Sequence, residues 1–152
     1  MSHQAQEGIG AGHVDPSREA FDLFKSLPRD ETIQMLNLIR YREKADYPAD
    51  HEHAGKGWSG AQAYREYGRT SGPVLERVGG RIIWRGRPQV TLTGPSQERW
   101  DAGFIAEYPS AAAFFAMITD EAYQQAVVNR SAAVADSRLI RFGVLEGGSG
   151  FA

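Results

Sequence analysis

The sequence contains no cysteine among its 152 residues, which excludes disulfides, thiolate metal sites and a cysteine nucleophile. It also lacks an excess of positive charge, since 17 Lys and Arg stand against 19 Asp and Glu. A nucleic-acid-binding protein usually has a basic face, so nucleic acid is not an expected partner. No run reaches the roughly 20 apolar residues that a membrane helix needs. Residues 1–12 do not resemble a secretory signal, and we therefore expect a cytoplasmic protein without a membrane partner.

What the sequence does contain is typical of one globular domain. Hydrophobic residues make up 41% and charged residues 24% of the chain, which is close to the globular average. The length fits a single domain. We predict a mobile tail over residues 1–14, one domain with an N-terminal helix over residues 15–147, and a second tail over residues 148–152.

Local signals predict the helices. Asp15 and Pro16 are suited to the first turn of a helix that ends before Pro28. Ser59 and Gln62 have the spacing of a capping box, so a second helix is expected over residues 59–78. The pair Gly72–Pro73 predicts that this helix is kinked or split. Further helices are predicted over residues 111–119 and 121–134.

Four strands are predicted around these helices, over residues 32–42, 81–93, 100–108 and 138–145. The second of them either runs through to residue 93 or breaks near Gly86 and Pro88. After the first helix the order is β-α-β-β-α-β, which is the ferredoxin-like arrangement. We therefore predict an α+β domain with a four-stranded antiparallel sheet and helices on one face. The other face would be bare, and something must cover it.

Alternation along the strands predicts which residues share a side. We expect the more apolar side, including Trp84, Ile140 and Phe142, to face the helices. The mixed side would then carry three arginines and two acids: Arg81, Arg85, Arg141, Asp101 and Glu107. A second copy of the sheet packed on this half-polar face would form a homodimer, a dimeric α/β barrel with a cavity inside. The first strand stays open, since either Asn37, Ile39 and Tyr41 or Leu38, Arg40 and Arg42 would face that cavity.

Four short segments carry a resemblance to a known family. They are Tyr64–Tyr67, Gly79–Arg81 leading to Arg85 and Gly86, Glu107–Ser110, and Tyr123, Gln124 and Arg130 before the end at Leu145–Gly147. In this order they resemble the family called domain of unknown function 1330, within the dimeric α/β barrel group. The resemblance implies the ferredoxin-like fold and a dimer, and no agreed activity. The wider group includes cofactor-free monooxygenases, isomerases, dehalogenases and haem-binding proteins, so the fold does not fix the function.

Seven residues are candidates for binding a small organic ligand: Asn37, Tyr64, Tyr67, Arg81, Arg85, Arg130 and Arg141. Guanidinium groups fit carboxylates, phenols donate hydrogen bonds, and an amide orients a carbonyl. Each candidate also has a structural interpretation. The tyrosines could be core aromatics, Arg81, Arg85 and Arg141 could pair with the two acids, and Arg130 could pair with Glu121 or Asp136.

A possible metal site is weaker. His51 and His53 flank Glu52 in a long loop over residues 43–58, and these are metal-ligand types. No third histidine is near them, so a solvated polar loop is the preferred interpretation. We expect no metal and no cofactor. No catalytic residue can be assigned.

Two functions follow as alternatives. The first is a cofactor-free small-molecule enzyme, monooxygenase- or isomerase-like, or a ligand binder, which uses the barrel cavity. The second is a non-catalytic structural or interaction dimer whose charged interior is fully paired. A ligand-sized cavity with a free arginine would favour the first alternative, and complete ion pairing without a void would favour the second.

Overall fold

The computed structural model describes residues 12–148 and 150–151. The first eleven residues of the predicted N-terminal tail lie outside this description, as do residues 149 and 152. The helices and strands follow in chain order: α1 (Arg18–Ser26), β1 (Ile33–Tyr41), α2 (Gly60–Arg77), β2 (Arg81–Gly86), β3 (Ala102–Tyr108), α3 (Ala111–Ile118), α4 (Glu121–Ala133) and β4 (Val134–Gly143).

The four strands form one antiparallel sheet in the order β2-β3-β1-β4. The two inner strands, β1 and β3, pair from Ile33 opposite Tyr108 to Ile39 opposite Ala102. This order, with α2 between β1 and β2 and with α3 and α4 between β3 and β4, is the ferredoxin-like topology. The predicted fold class is therefore confirmed, including the additional N-terminal helix.

The capping signals in the sequence set the helix starts. Ser59 accepts a hydrogen bond from the backbone N–H of Gln62, and the Gln62 side chain accepts one from the Ser59 N–H, which completes the capping box. Ser110 caps α3 by accepting from the Ala113 N–H, and Asp120 caps α4 by accepting from the N–H groups of Ala122 and Tyr123, without a reciprocal bond. The predicted cap of α1 was wrong, because Ser17 rather than Asp15 caps that helix. The predicted split at Gly72–Pro73 was wrong, because α2 continues through Pro73 to Arg77.

The helices cover one side of the sheet, here called the helix side. Its buried residues belong to two clusters, one around Ile33, Met35 and Tyr108 and one around Ile39 and Val134. Since strand residues alternate between sides, Asn37, Ile39 and Tyr41 of β1 face the helices. This settles the alternative that the sequence left open, and Leu38 and Arg40 face the other way.

The predicted sides of β2 were wrong for two residues. The register between β2 and β3 shifts between Ile82 and Trp84, so that Trp84 lies opposite Ile105 and Arg85 lies opposite Phe104. A β-bulge of this kind reverses the side on which each following residue lies. Trp84 therefore faces away from the helices, and Arg85 lies on the helix side.

The predicted sides of β4 were also wrong. Arg141 lies opposite Met35 and Leu139 lies opposite Asn37, so both belong to the helix side. Ile140 and Phe142 face away from the helices. Alternation indicates which residues share a side but not which side faces the helices, and here the aliphatic side of this edge strand is not the buried one.

The sheet face turned away from the helices is here called the open face. It consists of Leu36, Leu38, Trp84, Ile105, Ile140 and Phe142, with the ion pair of Arg81 and Glu107 at one end. Trp84, Ile140 and Phe142 are between 45% and 50% exposed. Large apolar side chains this exposed and this close together are typical of an interaction surface.

The N-terminal segment packs across the helix side. α1 has no buried residue of its own and is attached by aromatic contacts, in which Phe21 meets Phe115 and Phe24 meets both Phe114 and Phe115. Just before α1, the His13 N–H donates to the Asp136 carboxylate at 2.9 Å. The predicted domain limits at residues 15 and 147 stay a prediction. Within the described residues no helix is long and apolar enough to cross a membrane.

Candidate functional site

A large cavity lies between the helix side of the sheet and the helices. Its volume is about 1490 Å³, which exceeds the range of about 300–1,000 Å³ usual for small-molecule sites. It is lined by six of the seven predicted ligand-binding residues: Asn37, Tyr64, Tyr67, Arg85, Arg130 and Arg141. This is not the cavity that the sequence predicts, which would lie on the other side of the sheet between two copies and stays a prediction.

Small residues of α2 create part of this space. Gly68 and Gly72 line the cavity, and a Cβ atom added at either position would meet nothing within 4 Å. They lie about one and two turns after Tyr64. Gly68 is exposed and Gly72 half-buried, so both lie beside the buried side of α2, which carries Ala63, Ser71 and Val74. These two glycines were not predicted to line a cavity, although they follow Tyr64 at intervals of four residues.

Three tyrosine hydroxyls belong to the cavity wall. The Tyr67 and Tyr123 oxygens are 2.9 Å apart and share a hydrogen bond, and the Tyr64 ring lies 5.3 Å from the Tyr67 ring. Burial raises the pKa of Tyr64 and of Tyr67 above the ordinary tyrosine value. Both phenols are therefore neutral at physiological pH and can donate hydrogen bonds to a ligand oxygen.

Arg130 lines the cavity with a side chain that is only 12% exposed. It donates to the Val14 carbonyl at 2.7 Å and, less closely, to the Ser137 hydroxyl at 3.4 Å. Its nearest carboxylate within the described residues is Asp15, at 3.9 Å. The expected pairing with Glu121 or Asp136 was wrong, because the segment before α1 passes directly over this side chain.

Asn37 and Arg141 line the cavity from the sheet. The Asn37 amide nitrogen donates to the Met35 carbonyl at 3.0 Å. One guanidinium nitrogen of Arg141 donates to the Pro28 carbonyl at 2.7 Å, and the group lies 5.0 Å from the centre of the Phe24 ring. The second terminal nitrogen, Nη1, is buried without a hydrogen-bond partner among the described residues. The expected pairing of Arg141 with an acid of the sheet is absent from this part of the chain.

Arg85 of the edge strand β2 and Arg65 of α2 also line the cavity. Over residues 12–148 and 150–151 neither side chain has a carboxylate within 4 Å. Tyr41 lies beside them, with its ring 5.4 Å from that of Tyr64. The sequence analysis missed Arg65, although it stands in the Tyr64–Tyr67 segment on which the family resemblance rests.

Arg81 is the one predicted candidate outside the cavity. It lies on the open face and pairs with Glu107 at 3.0 Å. The Gln34 amide also donates to Glu107, at 2.9 Å. The hydrogen bond from Gln34, and then that from Arg81, lower the pKa of the Glu107 carboxyl. Arg81 therefore has the structural partner that the sequence offered as the alternative to a ligand.

The loop after β1 is more ordered than the sequence analysis expected. His53 is only 7% exposed, and its ring packs 4.4 Å from the Trp58 ring. Its Nε2 atom lies 3.4 Å from the Glu66 carboxylate. The expectation of a solvated polar loop was wrong at this position, because two aromatic rings enclose the imidazole. Among the described residues no group of three His, Cys, Asp or Glu side chains could hold a metal ion.

The fold and the cavity define a class of protein, namely a ferredoxin-like α+β domain with a ligand-sized space between sheet and helices. Residues 58–143 match the family described as "Domain of unknown function (DUF1330)". This match covers more than half of the chain, which therefore belongs to that family, as the sequence resemblance predicted. No curated protein matches the chain.

Solved structures agree with the family. The chain is 50% identical to RPA0582, a protein of unknown function from Rhodopseudomonas palustris, with a TM-score of 0.82 over 90% of this chain and 100% of that one. A methylated form of RPA0582 has a TM-score of 0.83, over 91% of this chain and 98% of that one.

Two further solved structures resemble the chain more distantly. One is a dimeric protein of unknown function with a ferredoxin-like fold from Bacteroides fragilis NCTC 9343, at 10% identity and a TM-score of 0.46 over 74% of this chain and 96% of that one. The other is SnoaB, a cofactor-independent oxygenase from Streptomyces nogalater, at 12% identity and a TM-score of 0.47 over 79% of this chain and 99% of that one. A likeness this distant says nothing about the chemistry or the assembly of the present chain.

Proposed function

We propose that this protein binds a small organic molecule in the cavity between its sheet and its helices. The observation that carries the proposal is the cavity itself, about 1490 Å³ in volume and lined by phenol, amide and guanidinium groups among apolar side chains. An apolar space with a few convergent polar groups is typical of a small-molecule site. The second alternative, a purely structural dimer, needs a filled interior with paired charges, and the cavity counts against it.

The donors favour one kind of reaction if the bound molecule is also converted. Tyr64 and Tyr67 stay protonated, and Arg130 lies in the same wall, so the cavity offers hydrogen bonds to an oxygen that becomes negative. Fixed donors aimed at a developing oxyanion stabilise its transition state. Enolate formation from a carbonyl compound is such a step, but it also needs a base to take the proton that leaves carbon. Asp15, the one carboxylate among the described residues that line the cavity, would have to accept that proton.

A fluorescent probe tests the site. N-phenyl-1-naphthylamine is neutral, apolar and more fluorescent away from water, so we expect saturable binding to the wild-type protein. Gly68→Leu places a side chain in space that is empty around Gly68 and should weaken binding at least about tenfold, since 1.4 kcal/mol corresponds to a factor of ten. The control is Gly55→Leu, which also meets nothing within 4 Å but lies in the loop outside the cavity. Equal probe affinity in both variants would contradict the proposed site.

The open face supports a homodimer as part of this proposal. Its exposed apolar side chains, Trp84, Ile140 and Phe142, would be covered by the same face of a second copy. We expect the mass of a dimer by light scattering at micromolar concentration. Trp84→Glu should shift the protein to monomers, whereas Val90→Glu, in the exposed loop after β2, should not. A monomeric wild-type protein would remove the dimer from the proposal and leave the cavity unaffected.

A further inference from the structure

The charges in the cavity wall are strongly unequal. The chain as a whole has a formal charge of −2. The described residues that line the cavity, by contrast, include a single carboxylate, Asp15, and six arginines. Arg138 lies opposite Leu38 and directs its side chain to the open face, which leaves Arg18, Arg65, Arg85, Arg130 and Arg141. Arg18, Arg65 and Arg85 are exposed and stay hydrated, whereas Arg130 and Arg141 are half-buried. Burying a charge is unfavourable unless an opposite charge compensates it. An unequal wall of this kind points to an anion as the usual occupant.

Some of these arginines already have partners. Arg138 pairs with Asp136 at 2.9 Å and with Glu98 at 3.3 Å. Arg130 donates to the Val14 carbonyl, and Arg141 donates to the Pro28 carbonyl. Each of these three groups is therefore held in place by neighbouring protein atoms, and each has fewer donors left for a ligand.

Arg65 and Arg85 are different. Within the described part of the chain, neither guanidinium group makes a hydrogen bond or an ion pair. They come from two elements, α2 and β2, and both line the cavity together with Tyr41, whose backbone N–H donates to the Asp101 carboxylate at 2.8 Å. Burial and then Asp101 raise the pKa of the Tyr41 hydroxyl, and the charges of Arg85 and Arg65 both act against this rise. Two uncommitted guanidinium groups and one neutral phenol therefore share one end of the cavity.

We propose that the ligand of this cavity is a small organic carboxylate, held by Arg65 and Arg85 beside the Tyr41 hydroxyl, with its apolar body between sheet and helices. The inference rests on the proposed function, because it names the chemical class of molecule that the same cavity binds. A guanidinium group presents a planar fork of donors that matches a carboxylate. The ring of Phe104, directly opposite Arg85 in the sheet, gives the apolar body a surface next to its charged end.

The experiment compares two ligands of the same shape. Naphthalene-2-carboxylate and naphthalene-2-carboxamide are each titrated against the complex of the wild-type protein with N-phenyl-1-naphthylamine. The carboxylate should displace the probe at a concentration at least about tenfold lower than the amide, because hydrogen bonds to charged groups contribute about 1.5–3 kcal/mol. Arg85→Gln and Arg65→Gln should each raise the concentration of carboxylate needed by about tenfold and leave that of the amide unchanged.

Arg81→Gln is the matched control. Arg81 stands on the same strand as Arg85, but it lies on the open face and is paired with Glu107. It should change neither titration. If the probe binds and the carboxylate displaces it no better than the amide, the inference is overturned while the proposed function stands. Equal losses in Arg81→Gln and Arg85→Gln would also overturn it. If the probe does not bind the wild-type protein at all, both proposals fail.

Discussion

Gly60 at the start of α2 is expected to tolerate no side chain. A Cβ atom at this position would overlap the carbonyl oxygen of Arg42 and would lie 2.7 Å from the Arg42 nitrogen and 2.8 Å from the Ala133 oxygen. All three are backbone atoms, so no rotamer change can relieve the contact. The same atoms also form hydrogen bonds, from Gly60 N–H to Arg42 O at 3.1 Å and from Arg42 N–H to Ala133 O at 2.7 Å.

The cost of Gly60→Ala follows from these contacts. Overpacking in a tightly packed place costs about 1–3 kcal/mol, and each of the two hydrogen bonds that must lengthen contributes about 1 kcal/mol. We therefore expect the free energy of unfolding to fall by about 3 kcal/mol. For a chain of this size this lowers the Tm by about 6–12 °C.

Urea denaturation measures this effect, with Gly68→Ala as the comparison in the same helix. A Cβ atom at position 68 meets nothing within 4 Å, so alanine should stabilise α2 by about 0.5–1 kcal/mol through its higher helix propensity. The two identical substitutions should thus have opposite signs, with similar m-values. Surface substitutions usually change the free energy of unfolding by less than about 0.5 kcal/mol. If the free energy of unfolding of Gly60→Ala lies within that margin of the wild-type value, α2 does not begin against these backbone atoms, and our account of its position is refuted.

Two further changes follow from individual hydrogen bonds. Tyr67→Phe removes the bond to the Tyr123 hydroxyl and should cost about 1 kcal/mol. Because burial raises the pKa of Tyr67 in the folded state, this tyrosine contributes stability below the unfolded pKa that is lost as pH rises through the folded pKa. Urea midpoints above pH 10 should therefore fall less steeply in Tyr67→Phe, and a parallel fall would contradict this. The stability contribution of Glu107 depends on pH in the opposite direction, because hydrogen bonds from Gln34 and then Arg81 lower the pKa of its carboxyl in the folded state. Its contribution is lost as pH falls through the folded pKa, so Glu107→Gln should flatten the acid side of the stability profile. The loss at neutral pH should stay below about 1 kcal/mol, because Arg81 is exposed, and an unchanged acid profile would count against the pairing.

The order of elements could be predicted because each signal is local. The capping box of Ser59 and Gln62 sets the start of α2, and the side chains of Ser110 and Asp120 set the starts of α3 and α4. The second strand could not be bounded in this way. It was expected either to reach residue 93 or to break near Gly86 and Pro88, and β2 ends at Gly86, which leaves Leu92 92% exposed in the following loop. Strand-forming residues alone do not create a strand, because a strand also needs a neighbour with which to pair.

The sides of the sheet show the limit of sequence reasoning most clearly. We assumed that the more apolar side of each strand packs against the helices. That assumption holds for a filled core, but here the helices enclose a cavity, and Arg85 and Arg141 line its wall. The apolar side chains of Trp84 and Phe142 lie instead on the open face, where a second copy would cover them.

The bulge in β2 connects these two findings. Without it, Arg81 and Arg85 would share a side, as alternation predicts. With it, Arg81 pairs with Glu107 on the open face and Arg85 lines the cavity. Two identical side chains four residues apart are thereby directed to different surfaces, which explains why they serve as a matched pair in the ligand experiment. Deletion of Ile83, the unpaired residue of the bulge, would restore regular pairing with Trp84 still opposite Ile105 and Arg85 still opposite Phe104, so we expect this variant to keep Arg85 in the cavity wall and Arg81 on the open face.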